Sequence, residues 1–156
     1  MTSEILMLED GCTLLRLLMA DEHYKDGSVT DNGISLQDLQ DRGYSLDIKS
    51  MAVQAVIEER AQTQSLKRPV ERHTAFISEF TKNDATSVVE PDNQSQLQSS
   101  GSRLFDVSHS PIDENPAHAS LLCVKRDQKR AYYVMARNKL KPIIQRIVVK
   151  LDEYYV

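Results

Sequence analysis

The sequence has no tryptophan, three phenylalanines and five glycines, too few for an aromatic stacking platform or a long glycine-rich phosphate loop. Its two cysteines, Cys12 and Cys123, are far apart and each lies among apolar residues. That context suits reduced thiols in a core and excludes a disulfide framework or a paired-Cys zinc site. No apolar run approaches the roughly 20 residues that cross a bilayer; the longest are of the kind LLRLLMA and ASLLCV. Glu4, Glu9 and Asp10 interrupt the first apolar residues, whereas a secretory signal needs a basic start and an unbroken apolar stretch, so a cytoplasmic protein is expected. The Gly-x-Ser-x-Gly elbow, the Walker loop and the Rossmann glycine pattern are all missing, which removes the commonest hydrolase and nucleotide-triphosphatase readings.

What is there is an ordinary globular composition. The 156 residues are 40% hydrophobic and 27% charged, and a chain of that size buries roughly two thirds of its unfolded surface without a staple. The patterning predicts an α+β class, a small mixed or antiparallel sheet packed by about three helices in a single domain over residues 1–156.

Along the chain, EILMLEDG reads as a short strand closed by a turn. CTLLRLLMADEHY reads as a strand, although Leu14, Leu15 and Leu18 also satisfy helical spacing. Asp26-Gly27 and Asn32-Gly33 tolerate positive φ and mark turns, followed by a short helix over 35–42 with Ser35 as cap and Asp38 in the capping-box position. SMAVQAVIEERAQTQSL predicts a helix with Ser50 as N-cap, an apolar stripe of Met51, Ala52, Ala55 and Val56, and an end before Pro69. ERHTAFISEF fits a strand or a helix equally. The Gln/Ser-rich residues at about 91–102 have little to bury and predict a mobile loop within the domain. RLFDVSHSPI and ASLLCVKR read as two strands able to pair across the turn DENPAH. DQKRAYYVMARNKLK predicts a helix capped by Asp127 and closed by Pro142. Pro142 then opens a last helix whose Ile143, Ile144, Ile147, Val148 and Leu151 share one face.

Charge is unevenly spread. Residues 1–124 carry ten Lys and Arg against twenty Asp and Glu, while residues 125–150 carry nine cations against Asp127 alone. Clustered cations gain by displacing counterions, so this basic stretch can meet an acidic protein surface or a nucleic acid. Arg137, Lys141, Arg146 and Lys150 are the candidate binding residues. The competing reading is that these cations are solvated helix faces paired with the chain's own acids.

A second concentration of chemistry is HSPIDENPAHASLLCV, where His109, Asp113, Glu114 and His118 fall within ten residues. Imidazole and carboxylate do acid–base work near neutral pH, and a turn between strands would expose them. The spacing matches no zinc signature, and neither a metal nor a cofactor follows from it. The structural alternative is specific: Asp113 or Asn115 closes the turn, Pro116 keeps Asn115 extended, and His118 begins a strand with one ring nitrogen on a carbonyl. His23 and His73 lie in polar surroundings and read as surface residues.

The stretches LLRLLMADEHYKDGSVT, GYSLDI and DENPAHASLLCV are similar, in order and spacing, to a group of small bacterial proteins. Those proteins carry an Arg-bearing strand, a short Ser-bearing segment and a Pro-Ala-His-Ala strand in the same succession. The resemblance spans about two thirds of the chain and implies that Arg16, Ser45 and His118 converge, with no activity attached. The first two stretches also resemble the ADP-ribosyltransferase-like enzymes, in which such residues hold the nicotinamide dinucleotide. This resemblance implies that Arg16 and Tyr44 or Ser45 contact that cofactor. The chain departs from it in lacking a late strand glutamate, the neighbouring acid being Glu114 in the turn.

The leading expectation is thus a non-catalytic accessory or regulatory binding protein that meets an acidic protein surface or nucleic acid through its basic C-terminal helices. The alternative is an enzyme acting on a nucleotide-type ligand, ADP-ribosyltransferase-like, with Arg16 on an anionic group, Ser45 beside it, and His118 as acid or base oriented by Asp113. A third expectation is a homo-oligomer that buries the apolar face of the last helix. A pocket that brings Arg16, Ser45 and His118 within one ligand's reach favours the enzyme.

Overall fold

Residues Thr13–Met19 form strand β1, and Leu14, Leu15, Leu17, Leu18 and Met19 are all buried. Both faces of this strand are covered, which is why its sequence lacks the alternation of a half-exposed strand. In the computed structural model, which describes residues 5–91 and 102–155, β1 lies inside a six-stranded sheet. A short hairpin follows, β2 (Tyr24–Lys25) and β3 (Ser28–Val29), then β4 (Tyr44–Ile48) and helix α1 (Gln54–Ser65). Strand β5 (Ala75–Thr81) leads into α2 (Lys82–Thr86), and β6 (Phe105–His109) into β7 (His118–Cys123). The chain ends with α3 (Arg130–Gln145), β8 (Val148–Lys150) and α4 (Leu151–Tyr154). The strand order is β6-β7-β4-β1-β5-β8 with every neighbour antiparallel, an α+β architecture.

Two cores follow from the alternation of side chains across the sheet. The larger joins Leu14, Leu18, Tyr44, Leu46, Ala119 and Leu121 to Tyr133, Ala136, Leu140 and Ile144 of α3. The smaller, on the opposite face, joins Leu15, Leu17, Met19 and Ile77 to Ile57 and Ala61 of α1 and Leu151 of α4. On that second face β4 and β7 present Ser45, Asp47, His118 and Ser120, which alternate with residues of the larger core. The apolar cover thus stops where the polar site begins.

Several elements differ from the sequence expectations, each for a local reason. EILMLEDG forms no strand: residues 5–9 are irregular, and the segment is held by Leu8 in the larger core and by Lys82 Nζ donating to the Leu8 carbonyl at 2.8 Å. Helix α1 begins at Gln54 with Val53 at its N-cap, because Met51 and Ala52 are taken up in a turn whose amides donate to the Ile48 carbonyl. Its buried residues are therefore Ile57 and Ala61. The segment 35–42 is helical but wound as a π turn over Asp38–Arg42, with the Asp38 amide 3.4 Å from Ser35 Oγ. A complete capping box stands instead on α2, between Thr81 and Asp84.

The C-terminus departs furthest. Helix α3 runs through Pro142 to Gln145 with Lys129, not Asp127, at its N-cap, and no second helix follows from the proline. The β-branched run Ile147-Val148-Val149 leaves the helix and adds β8 to the edge of β5. The apolar face expected to drive self-association is split up: Ile144 belongs to the larger core and Leu151 to the smaller, Ile143 and Val148 are half-buried, and Ile147 is exposed. ERHTAFISEF resolves as β5, and β6 and β7 pair across the DENPAH connection as anticipated. Asp26 and Gly27 have φ of 53° and 81° and make the tight turn of the β2–β3 hairpin. Most of the expected Gln/Ser-rich loop, residues 92–101, lies outside the described residues. No described helix is long and apolar enough to cross a membrane.

Candidate functional site

The site begins where two central strands part. β1 and β4 pair at Leu14↔Ile48 and Leu15↔Asp47, and the pairing ends there. The next residue, Arg16, bridges to β4 by its side chain: Nη1 donates to the Ser45 carbonyl at 2.9 Å, and the guanidinium carbon lies 4.2 Å from the centre of the Tyr44 ring. A cation over an aromatic face gains from the ring quadrupole. The ring is fixed in turn, since the buried Tyr44 hydroxyl donates to the Gly33 carbonyl at 3.0 Å, and burial pushes the phenol's pKa up against the opposing pull of Arg16. Arg16 Nε has no hydrogen-bond partner among the described residues.

His118 closes the other side. Its Nδ1 is 2.8 Å from the Ser110 carbonyl, and a carbonyl only accepts, so in the neutral ring Nδ1 carries the proton. Nε2 is then a bare acceptor, and the Ser45 hydroxyl donates to it at 3.1 Å. Ser110 Oγ lies 3.0 Å from Nδ1 and 2.8 Å from Ser120 Oγ, which ties the ring to both β7 and its incoming connection. A hydroxyl, an imidazole and a group that orients the imidazole stand in line, the arrangement by which side-chain nucleophiles and bases are set.

Beneath them is an ion pair whose carboxylate is buried and whose guanidinium is partly exposed. Asp47 faces His118 in the strand register, and its carboxylate is gripped by both terminal nitrogens of Arg60 from α1, at 3.0 and 3.1 Å. Asn115 Nδ2 donates to the same carboxylate at 2.6 Å. Planar two-point contacts of this kind fix geometry as well as charge. Asp47 thereby fastens α1 to the connection that precedes His118.

These groups open on a cavity of about 660 Å³ lined by Arg16, Ser45 and His118 from the sheet, Glu59, Arg60, Thr63 and Gln64 from α1, Asp38, and Ile112, Glu114 and Asn115 from the β6–β7 connection. A volume of roughly 300–1,000 Å³ is that of ordinary small-ligand sites.

The structure thus brings Arg16, Ser45 and His118 together. Asp113 stays apart: it is exposed in the turn, and the orienting role expected of it falls to Ser110 at His118 Nδ1. Glu114 reaches the cavity wall. His109 is buried and structural, accepting from the Leu6 amide at 2.9 Å while its Nε2 donates to the Pro116 carbonyl at 2.7 Å. His23 is not a surface residue; it is 9% exposed and accepts the Met19 amide at 3.0 Å. Burial and the neighbouring Arg16 lower its pKa to about 4. His73 is exposed, as expected. Among the described residues no group of three or more His, Cys, Asp or Glu is placed to hold a metal ion.

The basic C-terminal residues fall elsewhere and are mostly engaged. Arg137 and Lys141 both pair with Asp31, and Arg146 pairs with Asp84 at 2.7 Å. The Lys141 hydrogen bond, then Arg137, holds the Asp31 carboxyl below its usual range. Lys150, exposed on β8, is the one of the four without an acidic partner among the described residues. Sequence reasoning missed Asp47, Arg60 and Ser110. A lone charge in the apolar strand YSLDI was the available signal for Asp47. Ser110 gave none, because its main contribution is a main-chain carbonyl.

No protein-family model matches the chain, and no curated protein or solved structure matches it.

Proposed function

We propose that the chain is an enzyme acting on a nucleotide-type ligand in the Arg16–Ser45–His118 cleft, with His118 transferring the proton. The observation that carries this is the Ser45–His118–Ser110 line, at 3.1 and 2.8 Å, opening on a cavity beside a guanidinium. A base must lie within hydrogen-bond reach of the proton it moves and must be held in one tautomer, and both conditions are met. Arg16 lines the cavity and supplies positive charge for a phosphate group. Asp38, Glu59 and Glu114 on the walls offer acceptors for ligand hydroxyls such as those of a ribose. Cation for phosphate and carboxylate for hydroxyl together fit a nucleotide.

The sequence resemblance to ADP-ribosyltransferase-like enzymes names the same ligand class; their late strand glutamate has no counterpart here, and His118 is the group proposed to move the proton. A cytoplasmic setting accords with two unpaired thiols. A partner docked on the basic C-terminal surface has less support, because Arg137, Lys141 and Arg146 already meet acids of their own chain.

A thermal-shift screen of nucleoside mono- and diphosphates and nicotinamide dinucleotides tests the reading, because a ligand specific to the folded state must raise Tm. A nucleotide should stabilise the wild type, lose at least about tenfold in affinity with Arg16→Gln, and still bind His118→Asn. Absence of any nucleotide effect on the wild type would sink the reading.

A further inference from the structure

We infer that Ser45 is the nucleophile of this cleft and accepts a phosphoryl group from a phosphate ester onto its hydroxyl. Resting on the reading of the cleft as a nucleotide site, this goes beyond it, since acid–base catalysis by His118 on a ligand requires no covalent step. Ser45 sits in the middle of β4, held in register opposite Ser120, so its Oγ is fixed by the sheet and not by a pliable loop. That Oγ lies on the cavity wall and 3.1 Å from the bare Nε2 of His118. The third requirement of an activated hydroxyl is a group that holds the base, and the Ser110 carbonyl, 2.8 Å from Nδ1, meets it. Arg16 adds what a phosphoryl transfer needs most. Its Nη1 is held on the main-chain carbonyl of Ser45 at 2.9 Å and the residue lines the same cavity, so positive charge borders the space a phosphoryl group would occupy.

The step balances without a redox partner. Ser45 Oγ attacks phosphorus while its proton passes to His118 Nε2. The bond from phosphorus to the leaving oxygen breaks, and the imidazolium returns the proton to that oxygen. Water deprotonated by the same nitrogen then breaks the Ser45 O–P bond, restoring the hydroxyl and releasing phosphate.

A fluorophosphonate probe reads the nucleophile directly: the Ser45 O–P bond forms, fluoride leaves and the proton goes to His118. The full chain is incubated with excess probe and followed by intact mass and peptide mapping. One adduct on Ser45 is expected, absent in Ser45→Ala and formed at least about 100-fold more slowly in His118→Asn. An unmodified Ser45 in the folded wild type, or an adduct on another residue alone, overturns the inference whatever the variants do. If nucleotides still raise Tm in a chain that does not label, the covalent step alone is wrong; if both signals are missing, the reading of the cleft falls with it.

Discussion

His118 Nε2 and Ser45 Oγ meet at 3.1 Å on adjacent antiparallel strands, yet they are not direct cross-strand partners, for Ser45 faces Ser120 and His118 faces Asp47. The contact is diagonal on one face of the sheet, a relation that long side chains can span. A one-residue slip between β4 and β7 would turn one of the pair to the opposite face, so the dyad depends on sheet register. Asp47 secures that register from below through Arg60 and Asn115.

Removing Asp47 strands the buried amide of Asn115, whereas the partly exposed Arg60 can turn to solvent. Asp47→Ala is therefore expected to lower stability by about 2 kcal/mol in urea denaturation. A cycle with Arg60→Met should show a coupling of at least about 1 kcal/mol, and simple additivity would contradict the shared role.

The basic C-terminal residues should matter for folding. Reversing Arg137 and Lys141 to Glu places like charges against Asp31, and Arg137 is only 13% exposed. Tm should fall by about 5 °C or more, while Asp31→Asn, at a mostly exposed acid, should cost less than about 1 kcal/mol. Unchanged melting of the double reversal would return these residues to the solvent and reopen a docking role.

His23 makes stability pH-dependent. Its pKa is lowered from 6.5 to about 4 in the fold, so the unfolded chain binds its proton first. Its contribution is complete above pH 6.5, is lost as pH falls towards 4, and amounts to about 3 kcal/mol over that window. Denaturation curves across this range should be flatter for His23→Asn, whose side-chain oxygen can still accept the Met19 amide. Equal slopes for the two chains would rule out a buried neutral His23.

The thiols should be sluggish. Burial pushes the Cys123 pKa up to about 12, so its thiolate fraction at pH 8 is about one in ten thousand. Disulfide exchange reagents should modify Cys123 only on unfolding, and rapid labelling of native protein would place that residue outside the core.

The sequence showed the strands that bury both faces and the turns with chemical signatures, such as Asp26-Gly27, because those signals are local. It misread residues 146–150, where the helical spacing that Ile147 shares with Ile143 and Ile144 competed with the strand preference of Ile147-Val148-Val149. The open edge of β5 decided the matter, and a single sequence does not display a free edge. In the site, His118 stood out within the His/Asp/Glu cluster of the turn, while Arg16 and Ser45 were pointed to only by the resemblance to other proteins. Ser110 and the Asp47–Arg60–Asn115 knot were not, since one works through its backbone and the others only through their meeting in space.

The most direct measurement is chromatographic mass analysis of a nucleotide and dinucleotide mixture incubated with wild type and with His118→Ala. The Arg16–Ser45–His118 cleft predicts a nucleotide consumed and a product formed by the wild type, with turnover lower by about 100-fold or more in the variant. Equal turnover by the two chains, or a mixture left untouched by the wild type, would contradict a catalytic role for the cleft.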